Sequence, residues 1–206
     1  MLYPVRTPWL FKMAYPSCLW QMPGGKDKIY LTFDDGPHEE MTPFVLDELA
    51  KRGAKATFFA IGKNAETYPG LVERILREGH ALGNHTWNHL NGWKVPDAIY
   101  IEDISRARTI LKGELFRPPY GRISLSQCRK LEKALHMRVV MWTLLSGDFD
   151  PELEAEKCLQ QVLDRMRAGD IVVFHDSAKA SEKLRYVLPR VMDEIGKRGW
   201  KCEKIA

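Results

Sequence analysis

The sequence predicts an α/β fold built on parallel strands, and three observations support this. Short, apolar, β-rich runs alternate with helical patterns from residue 28 to the C-terminus. The breaks between them carry proline, glycine and capping signals typical of strand–helix connections. The polar motifs fall just past predicted strands, where parallel sheets place their chemistry. The 206 residues suffice for one domain with a full core, and no linker or low-complexity run divides them. Six or seven βα units fit an irregular barrel or an open doubly wound sheet, since a regular eight-unit barrel needs about 250 residues.

Each element has its own signal. Residues 28–33 alternate and then turn apolar, which reads as a first strand. Thr42-Pro43 reads as an N-cap followed by proline at the first helical position. Phe44, Val45 and Leu49 then mark a helical face that Gly53 ends. A strand is expected over 56–61, a helix over 69–78 stopped by Gly79, and a short strand over 81–83. Pro96-Asp97 opens a helix with Ile101, Ile104, Ala107, Ile110 and Leu111 on its apolar positions. A strand over 115–117 precedes a helix marked by Leu125, Cys128, Leu131 and Leu135. Residues 138–143 read as a strand, 153–166 as a helix and 170–174 as a buried strand. Leu184, Val187, Leu188, Val191, Met192 and Ile195 form the last helix, and 200–205 a final strand.

Residues 1–27 precede this pattern as an N-terminal arm, and 28–206 form the main domain. The arm carries Tyr3, Trp9, Phe11, Tyr15 and Trp20 between prolines 4, 8 and 16. It lacks the continuous apolar core of a signal peptide, so it is expected to pack on the domain. A peripheral membrane contact is its sharper alternative. No run approaches the roughly 18 apolar residues that span a bilayer, which together with the missing export signal suggests a cytoplasmic, membrane-associated at most, protein. The net charge of +4 is too weak to argue for nucleic acid. Cys18, Cys128, Cys158 and Cys202 form no C-x-x-C pair and read as reduced thiols, with Cys128 and Cys158 on buried helix positions.

The chemistry gathers at predicted strand ends. Asp34 and Asp35 close the first strand and, being adjacent in an extended backbone, point opposite ways. His85 and His89 are four apart and share a face if that segment is helical. One Asp and two His are a sufficient ligand set for a divalent metal with an open position. The second Asp is then free to act as a base beside it, which points to metal-assisted hydrolysis. Arg117-Pro118-Pro119-Tyr120 is a stiff turn, because both prolines fix φ and remove donors. Its guanidinium can hold a carboxylate, and the Tyr120 N–H is the first donor after two residues without one. His175 ends the run Ile171–Phe174, with Asp148 near a neighbouring strand end as a partner for an imidazolium acid.

Thr32-Phe33-Asp34-Asp35-Gly36-Pro37, His85-Thr86-Trp87-Asn88-His89 and Arg117-Pro118-Pro119-Tyr120, in this order, resemble the polysaccharide deacetylase family over roughly residues 28–205. The family includes chitooligosaccharide and peptidoglycan deacetylases. The resemblance implies a distorted (β/α)7-type barrel and a divalent ion, zinc first, with Co2+, Fe2+ or Ni2+ also accepted by such ligands. It implies Asp34 as general base, Asp35, His85 and His89 as metal ligands, and Arg117 as the group orienting Asp34. It further implies the Tyr120 amide at the oxyanion, Asp148 as support for His175, and His175 as general acid. Phe149, where the family usually has tryptophan, Val173, where it usually has leucine, and Pro119 are the implied substrate-binding residues.

The activity implied is removal of the N-acetyl group from an amino-sugar glycan, giving acetate and a free amine. An O-acetyl sugar esterase or small-amide hydrolase is the alternative on the same scaffold. A non-catalytic metal-bound domain is opposed by the complete set of acid, base and ligands.

Overall fold

β1 (Lys28–Asp34) stands at the centre of the sheet, because six of its seven residues are buried and ladders form on both sides of it. The computed structural model describes residues 3–22 and 26–206. The remaining arm positions, 1–2 and 23–25, lie outside the described residues. β1 pairs in parallel with β2 (Thr57–Ala60) and with β7 (Ile171–His175). Beyond β2 come β3 (Ala81–Asn84), β4 (Leu115–Phe116) and β5 (Arg138–Val139), and beyond β7 comes β6 (Leu144–Leu145). β8 (Lys201–Cys202) joins the start of β1. The result is a curled parallel half-barrel, in keeping with the (β/α)7-type fold expected.

The alternation of side chains along β1 and its neighbours separates two layers of core. Ile29, Leu31, Phe33, Phe58, Val172 and Phe174 face outward and share one apolar cluster. Helices α2 (Met41–Ala50), α7 (Ala155–Leu163) and α8 (Ser181–Lys197) cover that cluster with Val45, Leu46, Leu49, Cys158, Val162, Leu184, Val187, Leu188 and Val191. Tyr30, Phe59 and Ile171 belong to a separate inner cluster. The period of two puts Thr32, Asp34, Val173 and His175 on that inner face as well. α3 (Gly62–Thr67) and α4 (Pro69–Arg77) follow β2, and α5 (Asp97–Arg108) and α6 (Leu125–Leu135) follow β3 and β4.

Two local readings change. The strand expected over 138–143 shrinks to β5, and β6 begins past its end, at Leu144, on the opposite edge of the sheet. β5 bonds β4, β6 bonds β7, and the chain crosses the open seam between them. Helix α2 begins at Met41, so Thr42 lies within it and is not its N-cap. The Thr42 hydroxyl accepts from the His38 N–H at 2.8 Å and donates to Asp176 Oδ2 at 2.5 Å. That buried carboxylate is a stronger partner than the helix's own amides.

The arm supplies main-chain partners at the seam. The Leu19 N–H donates to Val139 O and the Met141 N–H to Leu19 O, each at 2.8 Å. The Thr7 N–H donates to Thr143 O at 3.0 Å, and the Leu145 N–H to Val5 O at 2.8 Å. Backbone groups at the two sheet edges are thereby satisfied. The short helix α1 (Trp9–Ala14), which no sequence signal marked, leaves Trp9, Leu10, Phe11 and Met13 exposed. No helix among the described residues is long and apolar enough to cross a membrane. All four cysteines are free thiols, and Cys128 and Cys158 are buried.

Arg6 ties the arm to the foot of β7. Its guanidinium donates to both oxygens of Asp170, at 2.7 and 3.0 Å, and Asp170 is fully buried. Removing one partner of such a pair leaves a buried charge uncompensated. Arg6→Ala is expected to lower unfolding stability by about 3 kcal/mol, read from the urea midpoint at constant m. An unchanged midpoint would show that the arm contributes nothing to the fold.

Candidate active site

The strand ends stand level. Asp34 is opposite His175 across the β1–β7 ladder, and Ala60, Asn84 and Phe116 lie in register at the ends of β2, β3 and β4. Asp34 points into the barrel and is 4% exposed. Its Oδ1 accepts from Arg117 Nη1 at 2.7 Å. Arg117 is fully buried and also donates to Thr32 Oγ1 at 2.6 Å and to Met141 O at 3.0 Å. Its guanidinium lies 4.1 Å from the Phe59 ring centroid.

Asp35 turns away from Asp34 with φ 77°, and the Asn64 side-chain amide holds its carbonyl at 2.8 Å. The next residue must be glycine for want of space. A Cβ on Gly36 would lie 2.1 Å from Asp176 Oδ2, because the Gly36 N–H donates to the Asp176 carboxylate at 3.1 Å. Burial pushes Asp176 up to about 8, while the Thr42 hydroxyl pulls it the other way.

His85 and His89 do not sit on a helix. They converge through a loop in which Thr86 and His89 take φ of 66° and 56°. Asp103 on α5 holds that loop, accepting from the Trp87 N–H at 2.7 Å, the Asn88 N–H at 3.0 Å and the Asn88 side chain at 2.6 Å. The Thr86 N–H donates to Asn84 Oδ1 at 2.8 Å and the Leu90 N–H to Thr86 Oγ1 at 3.1 Å. Side chains thus replace the helical hydrogen bonds that the spacing suggested.

Asp35, His85 and His89 form a group whose ligand atoms lie within 4.8 Å of one another. The residues fit a divalent ion on three counts. Asp35 Oδ1 is buried without a directed hydrogen bond, although His89 Nε2 and His85 Nε2 approach to 3.1 and 3.6 Å. The His85 Nδ1–H donates to Arg117 O at 2.7 Å, which leaves the Nε2 lone pair for a metal. Burial lowers His85 to about 4, so it is neutral near pH 7 and needs no deprotonation to ligate. Burial pushes the Asp35 carboxyl up, but the His89 contact and the charge of His175 outweigh it and hold the group below the usual carboxylate range.

On the far side of Asp34, His175 Nδ1 lies 2.8 Å from Asp148 Oδ1, and the His175 N–H donates to Asp148 Oδ2, also at 2.8 Å. Asp148 is fully buried and accepts from Ser146 Oγ at 3.0 Å. Burial opposes charge on His175, yet Asp148 overcomes it and raises the imidazole to about 9. Phe149 packs edge-on against His175 at 5.1 Å. Val173 is buried in β7 two residues below His175, and Pro119 is buried beneath the exposed Tyr120. Tyr120 takes φ 60° and sets its ring 4.6 Å from His89. Asp34, Asp35, His85, His89, Arg117, Tyr120, Asp148 and His175 therefore line one rim.

Sequence reasoning gave no role to Asp103, Asp176 or Ser146. Asp103 had a visible signal, since Tyr100, Asp103, Ile104 and Ala107 form one buried stripe of α5 and an acid on such a stripe needs a partner. Asp176 and Ser146 carry no periodic signal.

The polysaccharide deacetylase family model matches residues 21–140, more than half of the chain. The chain belongs to the polysaccharide deacetylase family. It is 36% identical over 175 residues to a peptidoglycan-N-acetylglucosamine deacetylase of Bacillus cereus, covering 82% of this chain and 62% of that relative. It is 33% identical over 186 residues to a chitooligosaccharide deacetylase of Azorhizobium caulinodans, covering 80% and 88%. The chain thus spans somewhat less than two thirds of the first relative's length and most of the second's. A solved peptidoglycan N-acetylglucosamine deacetylase in complex with 4-naphthalen-1-yl-N-oxidanyl-benzamide matches it with a TM-score of 0.87 at 30% identity, over 97% of this chain and 95% of that one. A family 4 carbohydrate esterase from Streptomyces lividans in complex with acetate matches with a TM-score of 0.77 at 27% identity, over 89% and 95%.

If Asp35, His85 and His89 are the ligand set, the protein should take up one equivalent of Zn2+ or Co2+, and His89→Ala should not. Metal analysis after dialysis and the visible spectrum of the Co2+ form read this directly. Wild-type metal content in the variant would overturn the assignment.

Proposed function

We propose that this chain is a divalent-metal-dependent N-deacetylase of amino-sugar glycans. The observation that carries the reading is the presence of two opposed carboxylate pairs at one rim. Arg117–Asp34 and Asp148–His175 occupy paired strand ends beside a ligand group of Asp35, His85 and His89. The relatives named for peptidoglycan and chitooligosaccharide deacetylation support it.

Asp35, His85 and His89 would hold a divalent ion, which when bound would supply Lewis acidity at the acetamide carbonyl and water. Asp34 removes a proton from the attacking water. Arg117 occupies Asp34 Oδ1, so Oδ2 is the oxygen assigned to this task. The Tyr120 N–H, the first donor beyond Pro118 and Pro119, is the group assigned to support the developing oxyanion. Phe149, Val173 and Pro119 furnish the apolar surroundings of the acetyl group.

His175 gives the proton that lets the amine leave. Its Nδ1 is engaged by Asp148, so the proton is delivered from Nε2. This pair favours amide over ester chemistry, because an amide nitrogen departs as an anion only at great cost, whereas an alkoxide leaves more readily. The carbonyl carbon keeps the water oxygen, giving acetate, and the sugar nitrogen keeps its electron pair as a free amine.

Acetate release from N-acetylated oligosaccharides, with metal removed and restored, tests the activity. Asp34→Asn should lower kcat by about 10²–10⁴ with metal content unchanged. A near-normal kcat would assign the base elsewhere.

His175→Ala should damage hydrolysis of the N-acetyl substrate more than that of an activated aryl acetate, whose phenolate leaves without a proton. Equal proportional losses would show that His175 is not the leaving-group acid. The sign of its pH dependence follows from the raised value. The proton is held below about 9 and lost above it, so wild-type amide turnover should fall as pH rises through about 9. The stability gained from the charged pair is complete below 6.5 and disappears over the same upper range.

A further inference from the structure

Part of the surroundings of His175 comes from the arm. Phe149 sits half-buried on the connection between β6 and α7, where no helix or strand ladder fixes it. One side of its ring meets the His175 imidazole at 5.1 Å and 68°, and the Tyr3 ring meets it at 5.2 Å and 46°. Lys179 Nζ lies 5.8 Å from the Phe149 centroid.

Tyr3 is itself anchored. Burial, and after it the charge of Asp150, the residue after Phe149, raises its phenol so that the hydroxyl stays protonated. Two residues on, Val5 O accepts from the Leu145 N–H at 2.8 Å. The arm therefore runs beside the segment that carries Asp148 and Phe149. A Cβ on Gly147, which takes φ 79°, would lie 2.5 Å from the Tyr3 hydroxyl.

Asp148 fixes one edge of the His175 imidazole through Nδ1, but a single hydrogen bond leaves the ring free to rock about that axis. An edge-on aromatic neighbour restrains such motion, and pairs of this geometry favour centroid separations of about 4.5–7 Å. We propose that Tyr3 is a positioning residue of the active site, holding Phe149 against His175 so that the imidazole is aimed at the leaving nitrogen. This assignment rests on His175 acting as the leaving-group acid.

The test compares wild type with Tyr3→Ala, Tyr3→Leu and Tyr3→Phe on an N-acetylated oligosaccharide and on an activated aryl acetate, at equal metal content. A positioned general acid is worth about 10²–10⁴, so loss of its aim is expected to cost about tenfold in kcat on the amide. The aryl ester should stay near wild type, and Tyr3→Phe, which keeps the ring, should keep most amide activity. Partial unfolding lowers both substrates by the same factor and leaves their ratio unmoved. An unchanged ratio in Tyr3→Ala and Tyr3→Leu would overturn the proposal.

A second readout does not depend on turnover. The ring-proton resonances of His175 should shift in Tyr3→Ala and in Phe149→Leu, and remain in place in Trp9→Ala, a change at an exposed arm position. Resonances that ignore Tyr3 would also overturn it. If wild type released no acetate from any N-acetyl substrate, the deacetylase reading would fail, while the coupling of Tyr3 to His175 would still be read by NMR.

Discussion

A guanidinium with no exposed surface is the constraint around which this protein is organised. Arg117 reaches from the end of β4 across the barrel interior and touches three separate pieces of chain. Its side chain binds Thr32 and Asp34 of β1 and the carbonyls of Val140 and Met141 on the crossing segment. Its own carbonyl takes the His85 imidazole, and its N–H donates to Asn84 O. Burial weighs against its charge, and Asp34 is the carboxylate that offsets this. Neither partner can be removed without stranding the other at a cost of about 3–5 kcal/mol. The orientation of Asp34, the tautomer of His85 and the course of the seam thus depend on one residue. Lysine could not serve there, because it lacks the planar fork that serves several acceptors at once.

The two adjacent aspartates show how a short motif divides labour through backbone geometry. Asp34 keeps the strand conformation and points inward to Arg117. Asp35 enters the left-handed region and points to the histidines instead. A non-glycine residue in that region is strained, so something must hold it. Asn64 holds its carbonyl, and Asp176 holds the following amide at a distance only glycine permits. Asp176 in turn depends on Thr42 from α2. The precision of the ligand group therefore derives from a helix on the outer layer, through a buried carboxylate that touches no candidate ligand side chain.

The sequence made the strand–helix alternation, the rim location and the candidate site residues legible, because each has a local signature. Period-two apolar runs mark β1 and β7, and Asp, His and Arg at strand ends stand out against them. What it could not convey was carried by long-range hydrogen bonds. Thr42-Pro43 looks like a cap until Asp176, from the other end of the chain, claims the hydroxyl. The four-residue spacing of His85 and His89 looks helical until Asp103 claims the intervening amides. Residues 138–143 look like one strand because their composition does not show that the chain leaves one edge after Val139 and joins the other at Leu144. The arm was the least legible part, since its partners are backbone groups at the seam, the Asp170 carboxylate and an aromatic ring, all distant in sequence.

The two buried imidazoles beside Asp34 show most clearly how placement decides chemistry. His85 donates its Nδ1–H to a backbone carbonyl, a neutral acceptor that does little to favour a charged ring. Burial then dominates, and the group is lowered to about 4. His175 presents the same nitrogen to a carboxylate that is itself buried and fixed by Ser146, and it is raised to about 9. Near neutral pH the first is a lone-pair donor and the second a proton donor. A metal ligand must be the former and a leaving-group acid the latter. The protonation of each ring thus follows from its partner, the Arg117 carbonyl for His85 and the Asp148 carboxylate for His175.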